Sequence, residues 1–270
     1  MNPILFAVII VSAIGLVLGL ILAIASIVMA VPVDEKAEAI KEVLAGANCG
    51  ACGYSGCAGY AEALSQGKTT ECTLCSPGGA DCAAAIAQIM GLAAGEMKPM
   101  TAVVKCHGTP DKAPDTMSYL GDMSCKTASQ LFGGPKGCNY GCLGLGDCVK
   151  ACPYNALEIV DGVAKVDPLA CKACKMCVKT CPKGIIDLVP LYEQKAINFC
   201  MNKDKGNLTS KQRTVGCIGC MKCVKVCEFD AIHVENNNAT VDYDKCTACG
   251  KCVEGCPKHC LELVAFGCEK

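Results

Sequence analysis

The sequence predicts an α+β chain behind one N-terminal transmembrane helix. A small helical module comes first, then two copies of a module of short strands and turns. Three observations lead there. Residues Ile4 to Val33 carry no charge. The 27 cysteines fall mostly in short-spaced runs. From Cys138 onward one pattern occurs twice: a cysteine run, a strand pair and a second cysteine run.

The apolar run comes first. At about 1.5 Å per helical residue it exceeds a hydrocarbon core of about 30 Å, so it reads as one spanning helix, tilted or ending near Pro32. A cleaved signal peptide is the competing reading. It is disfavoured because "MNPILF" lacks a basic n-region and the run is too long. No Lys or Arg precedes the helix, whereas Lys36 and Lys41 follow it. The positive-inside rule then puts the chain in the cell membrane, crossing the bilayer through residues 4–33, with its N-terminus outside and the rest in the cytoplasm. That side is reducing, which suits cysteines used as ligands.

Residues 34–100 read as the helical module. "VDEKAEAIKEVLAG" has Asp34 as N-cap, with Ala37, Ile40, Val43 and Leu44 on one face and Gly46 at the end. "AGYAEALSQG" gives a second helix closed by Gly67, and "GADCAAAIAQIMG" a third, preceded by Pro77. Its cysteines sit on loops between helices. Residues 101–135 form a connecting segment that opens with a short strand, "TAVVKC". The repeated modules span 136–192 and 213–270, separated by a linker at 193–212. Each contains a hairpin: "LEIVDGVAKV" turns at Asp161-Gly162, and "IHVENNNATV" turns through Asn236 to Asn238. A smaller echo precedes each copy, "VVKCHGTPDK" and "INFCMNKDKG", so the duplicated unit is larger than the cysteine core.

Composition excludes several functions. The formal charge is −1 and Arg213 is the only arginine, so neither nucleic-acid binding nor bidentate phosphate clamping fits. With no Trp and 4% aromatic residues, little is available for an ordinary core. Inorganic clusters would fill that centre.

The strongest runs are Cys171, Cys174, Cys177, Cys181; Cys217, Cys220, Cys223, Cys227; and Cys246, Cys249, Cys252, Cys256. All are C-x2-C-x2-C-x3-C, the spacing of a [4Fe–4S] loop whose fourth cysteine ligates the neighbouring cluster. Zinc sites instead use paired C-x2-C knuckles with a long gap. A fourth run, "CNYGCLGLGDCVKACP", is irregular, but it pairs with a regular run and ends in Cys-Pro. It reads as a cluster loop with insertions. Cross-ligation then predicts four sites. Cys138, Cys142, Cys148 and Cys181 form one, and Cys171, Cys174, Cys177 and Cys152 another. Cys217, Cys220, Cys223 and Cys256 form a third, and Cys246, Cys249, Cys252 and Cys227 a fourth.

In the helical module, "NCGACGYSGC" places Cys49, Cys52 and Cys57 on a glycine-rich loop. Gly50, Gly53 and Gly56 let backbone amides approach inorganic sulfide without steric cost. Cys72 and Cys75 are both candidates for a fourth thiolate. Cys75 is preferred, because "CSPGG" gives it a turn with free amides. The count is five [4Fe–4S] clusters. Cys72, Cys82, Cys106, Cys125, Cys200, Cys260 and Cys268 remain and read as buried thiols. No nucleophile–base pair, phosphate loop or paired-carboxylate motif occurs, so no autonomous bond-making site is expected.

The anchor, "CGACGYSGC" with "CSPGG", "GGPKGCNYGCLGLGDCVKACP" and the regular runs together resemble the B subunit of the Rnf complex, the ion-translocating ferredoxin:NAD oxidoreductase. The resemblance covers nearly the whole chain. It implies two bacterial 2[4Fe–4S] ferredoxin-like modules and a subunit that takes electrons from soluble ferredoxin. Those electrons would pass to membrane subunits of the complex for NAD reduction. It also implies that ion pumping occurs in those partners, since the single helix carries no ionisable residue. The second copy departs from shorter members, which carry one. A polyferredoxin subunit of another membrane oxidoreductase, such as a hydrogenase, is the alternative; the helical module favours the first.

Overall fold

The computed structural model describes residues 3–28, 34–93 and 95–267. The end of the apolar run, residues 29–33, and Cys268 lie outside the described residues. Helix α1, Pro3–Val28, has no acidic residue in its first turn and no basic residue in its last. Its window Ile9–Ser26 has mean hydropathy 2.7 and is 0% buried inside the protein, so the helix is long and apolar enough to cross a membrane.

Three helices follow: α2 (Glu35–Val43), α3 (Cys57–Ser65) and α4 (Gly79–Met90). Asp34 caps α2 by accepting the Lys36 and Ala37 amides at 3.0 and 3.2 Å. Helix α4 ends on Gly91 in the left-handed conformation, φ 68°. Ile40, Leu64 and Ile86 are fully buried between the three helices, beside Tyr60. The Tyr60 hydroxyl donates to the Glu71 carbonyl, which ties α3 to the loop that carries Cys72 and Cys75.

Next come β1 (Met100–Val104), α5 (Cys125–Gln130), α6 (Asp147–Lys150), β2 (Leu157–Val160), β3 (Val163–Val166), α7 (Met176–Thr180) and β4 (Ile186–Pro190). The hairpin β2–β3 turns at Asp161 (φ 50°) and Gly162 (φ 68°), as the Asp-Gly pair predicts. Strand β1 pairs antiparallel with β4, from Met100 opposite Pro190 to Val104 opposite Ile186. The strand inside the connecting segment therefore closes the first cysteine-rich unit.

The second unit repeats this order: β5 (Gln194–Asn198), α8 (Gly206–Gln212), α9 (Lys222–Val226), β6 (Ile232–Glu235), β7 (Asn238–Val241), α10 (Lys251–Glu254) and β8 (Leu261–Ala265). The β6–β7 hairpin turns at Asn236 (φ 48°) and Asn237 (φ 61°). Strand β5 pairs with β8 as β1 pairs with β4. Val103, Val189 and Ile197 form a small core in which the two units meet. His107 stacks on Phe199 at 4.1 Å across the same junction.

Candidate iron–sulfur sites

Four cysteine loops share one backbone. The second residue after the leading cysteine is left-handed in each: Gly144 (φ 72°), Ala173 (φ 50°), Gly219 (φ 65°) and Ala248 (φ 57°). The fourth residue is left-handed too: Gly146 (82°), Lys175 (60°), Met221 (59°) and Gly250 (81°). Such conformations strain residues with a Cβ, and here they recur at Ala173, Ala248, Lys175 and Met221. They turn each loop around a centre. A short helix then starts, carrying Cys148, Cys177, Cys223 or Cys252, all buried.

The closing segments also match. Asn155, Gly184, Asp230 and His259, each three residues past the last cysteine of a run, have φ of 52°, 60°, 51° and 46°. This turn aims amides at sulfur: Ala156 N–H donates to Cys152 Sγ and Ala231 N–H to Cys227 Sγ, both at 3.4 Å. Further amides reach the leading cysteines. Cys171 Sγ accepts from Ala102 and Ala173, and Cys142 Sγ from Ala164, all at 3.4 Å. Such bonds favour the thiolate, which is the ligating form.

Cys227, Cys246, Cys249 and Cys252 line one cavity. Cys217, Cys220, Cys223 and Cys256 line another, with Cys260 as a fifth thiol. The Cys260 Sγ lies 3.6 Å from Cys256 Sγ. A hydrogen bond with Cys260 pulls the Cys256 thiol down to about 5 against the opposing effect of burial. Cys152, Cys171, Cys174 and Cys177 gather in the first unit, where burial and the facing Cys171, Cys174 and Cys152 push the Cys177 thiol up to about 11. Desolvated thiols facing one another resist ionisation as bare groups; iron would supply the compensating charge.

The irregular loop departs from the sequence reading at one position. Cys142, Cys148 and Cys181 line a cavity together with Cys125. Cys138 lines a different cavity, with Cys106, Cys200 and Arg213 between the two units. Cys106 Sγ accepts the Gly108 and Cys142 amides at 3.4 and 3.3 Å. Its counterpart Cys200 accepts the Asn202 amide at 3.4 Å. These two cysteines buttress the loops from behind.

In the helical module, Asn48 (φ 46°) closes the opening loop by accepting the Cys57 amide at 2.9 Å. Cys52, Cys57, Cys72, Cys75 and Cys82 share one core. A hydrogen bond from Cys82, with help from the Ala45 and Gly78 amides, lowers the Cys75 pKa against the opposing effect of burial. Cys72 instead donates its thiol to the Thr70 carbonyl at 3.6 Å, and burial alone raises its pKa. The donors here are thiols served by amides, the chemistry of iron–sulfur ligation. Among the described residues no three His, Cys, Asp or Glu side chains converge on a point fit for one metal ion.

The opening loop touches the first unit. Lys179 Nζ donates to the Cys49 and Gly50 carbonyls at 3.0 and 3.2 Å. Burial raises the Tyr154 pKa, and Cys174, Cys49, Cys75 and Cys152 add to the effect.

Three family models described as "4Fe-4S dicluster domain" match residues 136–185, 170–232 and 213–263. "Putative Fe-S cluster" matches residues 44–77. The chain is similar to the B subunit of the Na(+)-translocating ferredoxin:NAD(+) oxidoreductase complex of Acetobacterium woodii. Identity is 46% over 97% of this chain and 78% of the relative. The B subunit of the proton-translocating ferredoxin:NAD(+) oxidoreductase complex of Clostridium ljungdahlii is 37% identical over 99% of this chain and 95% of its own. The B subunit of the ion-translocating oxidoreductase complex of Methanosarcina acetivorans is 37% identical over 93% of this chain and 95% of its own.

Proposed function

Because this chain belongs to the family of B subunits of ion-translocating ferredoxin:NAD oxidoreductase complexes, it is an iron–sulfur electron-transfer subunit, and we propose that it holds five [4Fe–4S] clusters linking soluble ferredoxin to the membrane. The observation that carries the reading is the single backbone pattern shared by four cysteine loops, each wrapped around thiols. Bound clusters supply one-electron transfer and no bond chemistry.

Each site is held by residues of this chain. Cys49, Cys52, Cys57 and Cys75 hold the first. Cys152, Cys171, Cys174 and Cys177 hold the second. Cys142, Cys148 and Cys181 contribute to the third. Cys217, Cys220, Cys223 and Cys256 hold the fourth, and Cys227, Cys246, Cys249 and Cys252 the fifth. The modules correspond to an anchor (1–33), a helical module (34–100) and two ferredoxin-like modules.

Exposure supports the C-terminal unit as the entry face. Cys220 and Cys249 are exposed, whereas the other described cysteines are buried or half-buried. Lys211, Lys222 and Lys225 lie exposed on that unit, and none of them pairs with a carboxylate among the described residues. They would steer an acidic ferredoxin. Lys245 and Lys251 are already paired, with Asp230 at 3.6 Å and Glu228 at 2.5 Å. At the other end the opening loop lies next to the first unit and follows the apolar helix in sequence, which supports exit toward membrane subunits. Helix α1 would tether the chain in the bilayer with the cysteine-rich units in the cytoplasm.

The test is anaerobic purification of the full chain in detergent with iron and acid-labile sulfide counted. About twenty irons per chain and no stoichiometric zinc are expected. Stoichiometric zinc in place of iron would refute the assignment.

A further inference from the structure

We propose that Cys125, not Cys138, is the fourth ligand of the irregular loop's cluster. The inference rests on the proposed cluster assignment and refines it.

Spacing gives the first argument. Cys142-x5-Cys148-x3-Cys152 coincides with Cys217-x5-Cys223-x3-Cys227 and with the other two regular runs. The register makes Cys142 a leading cysteine and puts Leu145 where Cys174, Cys220 and Cys249 stand. Cys138 falls outside the loop, at the position Arg213 holds in the second unit.

The backbone agrees independently. Gly144 and Gly146 carry the two left-handed conformations at the same offsets from Cys142 as Gly219 and Met221 from Cys217. Cys142 Sγ accepts the Ala164 amide, and Cys217 accepts that of Ala239. Ala164 pairs with Ile159 and Ala239 with Val234 at matching places in the two hairpins. The loop is thus a regular cluster loop lacking its middle thiol.

Cys125 fills the gap. It opens α5, and Asp147, which opens the helix carrying Cys148, holds that turn in place. Asp147 Oδ2 accepts from the Ser124 hydroxyl at 2.9 Å and from the Lys126 amide at 3.0 Å. The Cys125 amide bonds to the same carboxyl group. Cys125 thereby joins Cys142, Cys148 and Cys181 around one cavity, while Cys138 lines another. Four sulfurs is the complement a [4Fe–4S] cluster takes.

The test compares the full-length chain as wild type, Cys125→Ser, Cys138→Ser and Cys125→Ser/Leu145→Cys. Each is assayed anaerobically for iron, acid-labile sulfide and EPR of the reduced and oxidised states. Wild type and Cys138→Ser are expected at about twenty irons. Cys125→Ser should lose one cluster or convert it to a three-iron form. The double variant, which moves the thiol to the regular middle position, should regain four-iron content, separating a ligand role from a folding role. Full iron in Cys125→Ser, loss of a cluster in Cys138→Ser, or no recovery in the double variant overturns the inference. A wild type without clusters would instead sink the functional reading beneath it.

Discussion

Replacing Lys136 with methionine should loosen the irregular loop while leaving the second unit intact. Lys136 is only 5% exposed. Its ammonium donates to the Gly108 carbonyl at 2.7 Å, the Cys142 carbonyl at 2.8 Å and the Gly162 carbonyl at 3.4 Å. One side chain thus ties the Cys106 loop, the leading cysteine Cys142 and the hairpin turn together. Methionine keeps the stem and its packing but leaves those acceptors without a donor. An orphaned buried acceptor costs about 1–3 kcal/mol. The two short bonds dominate, and relaxation recovers part, so the net loss is about 3 kcal/mol. That is roughly a hundredfold in the local opening equilibrium, at about 1.4 kcal/mol per tenfold. Hydrogen exchange followed by mass spectrometry on the cluster-loaded chain reads this directly. Protection of peptides covering 136–148 should fall by about a hundredfold, with 217–227 unchanged. Unchanged protection at 136–148 would refute the reasoning, because the three carbonyls would then find other donors.

Two further outcomes follow from the junctions between units. Lys179→Met removes two exposed charged hydrogen bonds to the opening loop. Discounted for solvent they are worth together about 1.4 kcal/mol, so electron delivery to the helical module should slow by about tenfold in rapid-mixing kinetics. His107 is held below its ordinary pKa of about 6.5 by burial, partly opposed by Glu262 at 3.3 Å. The unfolded chain therefore takes up the proton first as pH falls, and stability drops below about pH 6.5. His107→Phe, which keeps the stack on Phe199, should flatten that dependence in exchange protection of the junction compared between about pH 7.5 and 5.5.

The parts legible in the sequence were those fixed by local rules. Asp34 caps its helix, Asp161-Gly162 turns its hairpin, and the three regular runs fold into one loop geometry, because each depends on residues a few positions apart. Pairing was not legible. The alternation in "TAVV" gives a strand, but nothing local says that β1 closes against β4, far along the chain, or that β5 does so against β8. The echo of "VVKC" and "INFC" was the available signal that these strands belong inside the repeated unit. The place of Cys125 in one cavity with Cys142, Cys148 and Cys181 was hidden for a related reason. A single cysteine in a turn-rich segment carries no spacing, and only tertiary structure brings it to Cys148. The signal that could have found it lay in the partner loop. Aligning Cys142, rather than Cys138, with Cys217 puts Leu145 where the regular runs carry their second cysteine.

In the proposed direction, electrons enter at the C-terminal unit and leave from the opening loop toward the membrane. Cys52→Ala removes a thiolate only from that loop, so it separates uptake from delivery. In the anaerobic full-length subunit, loss of this cluster alone, checked by iron content and EPR, should leave oxidation of reduced ferredoxin intact. Reassembled with its partner subunits, the variant should fail to pass electrons on to NAD. Loss of ferredoxin oxidation by the isolated Cys52→Ala subunit, with its remaining clusters intact, would contradict the direction claimed.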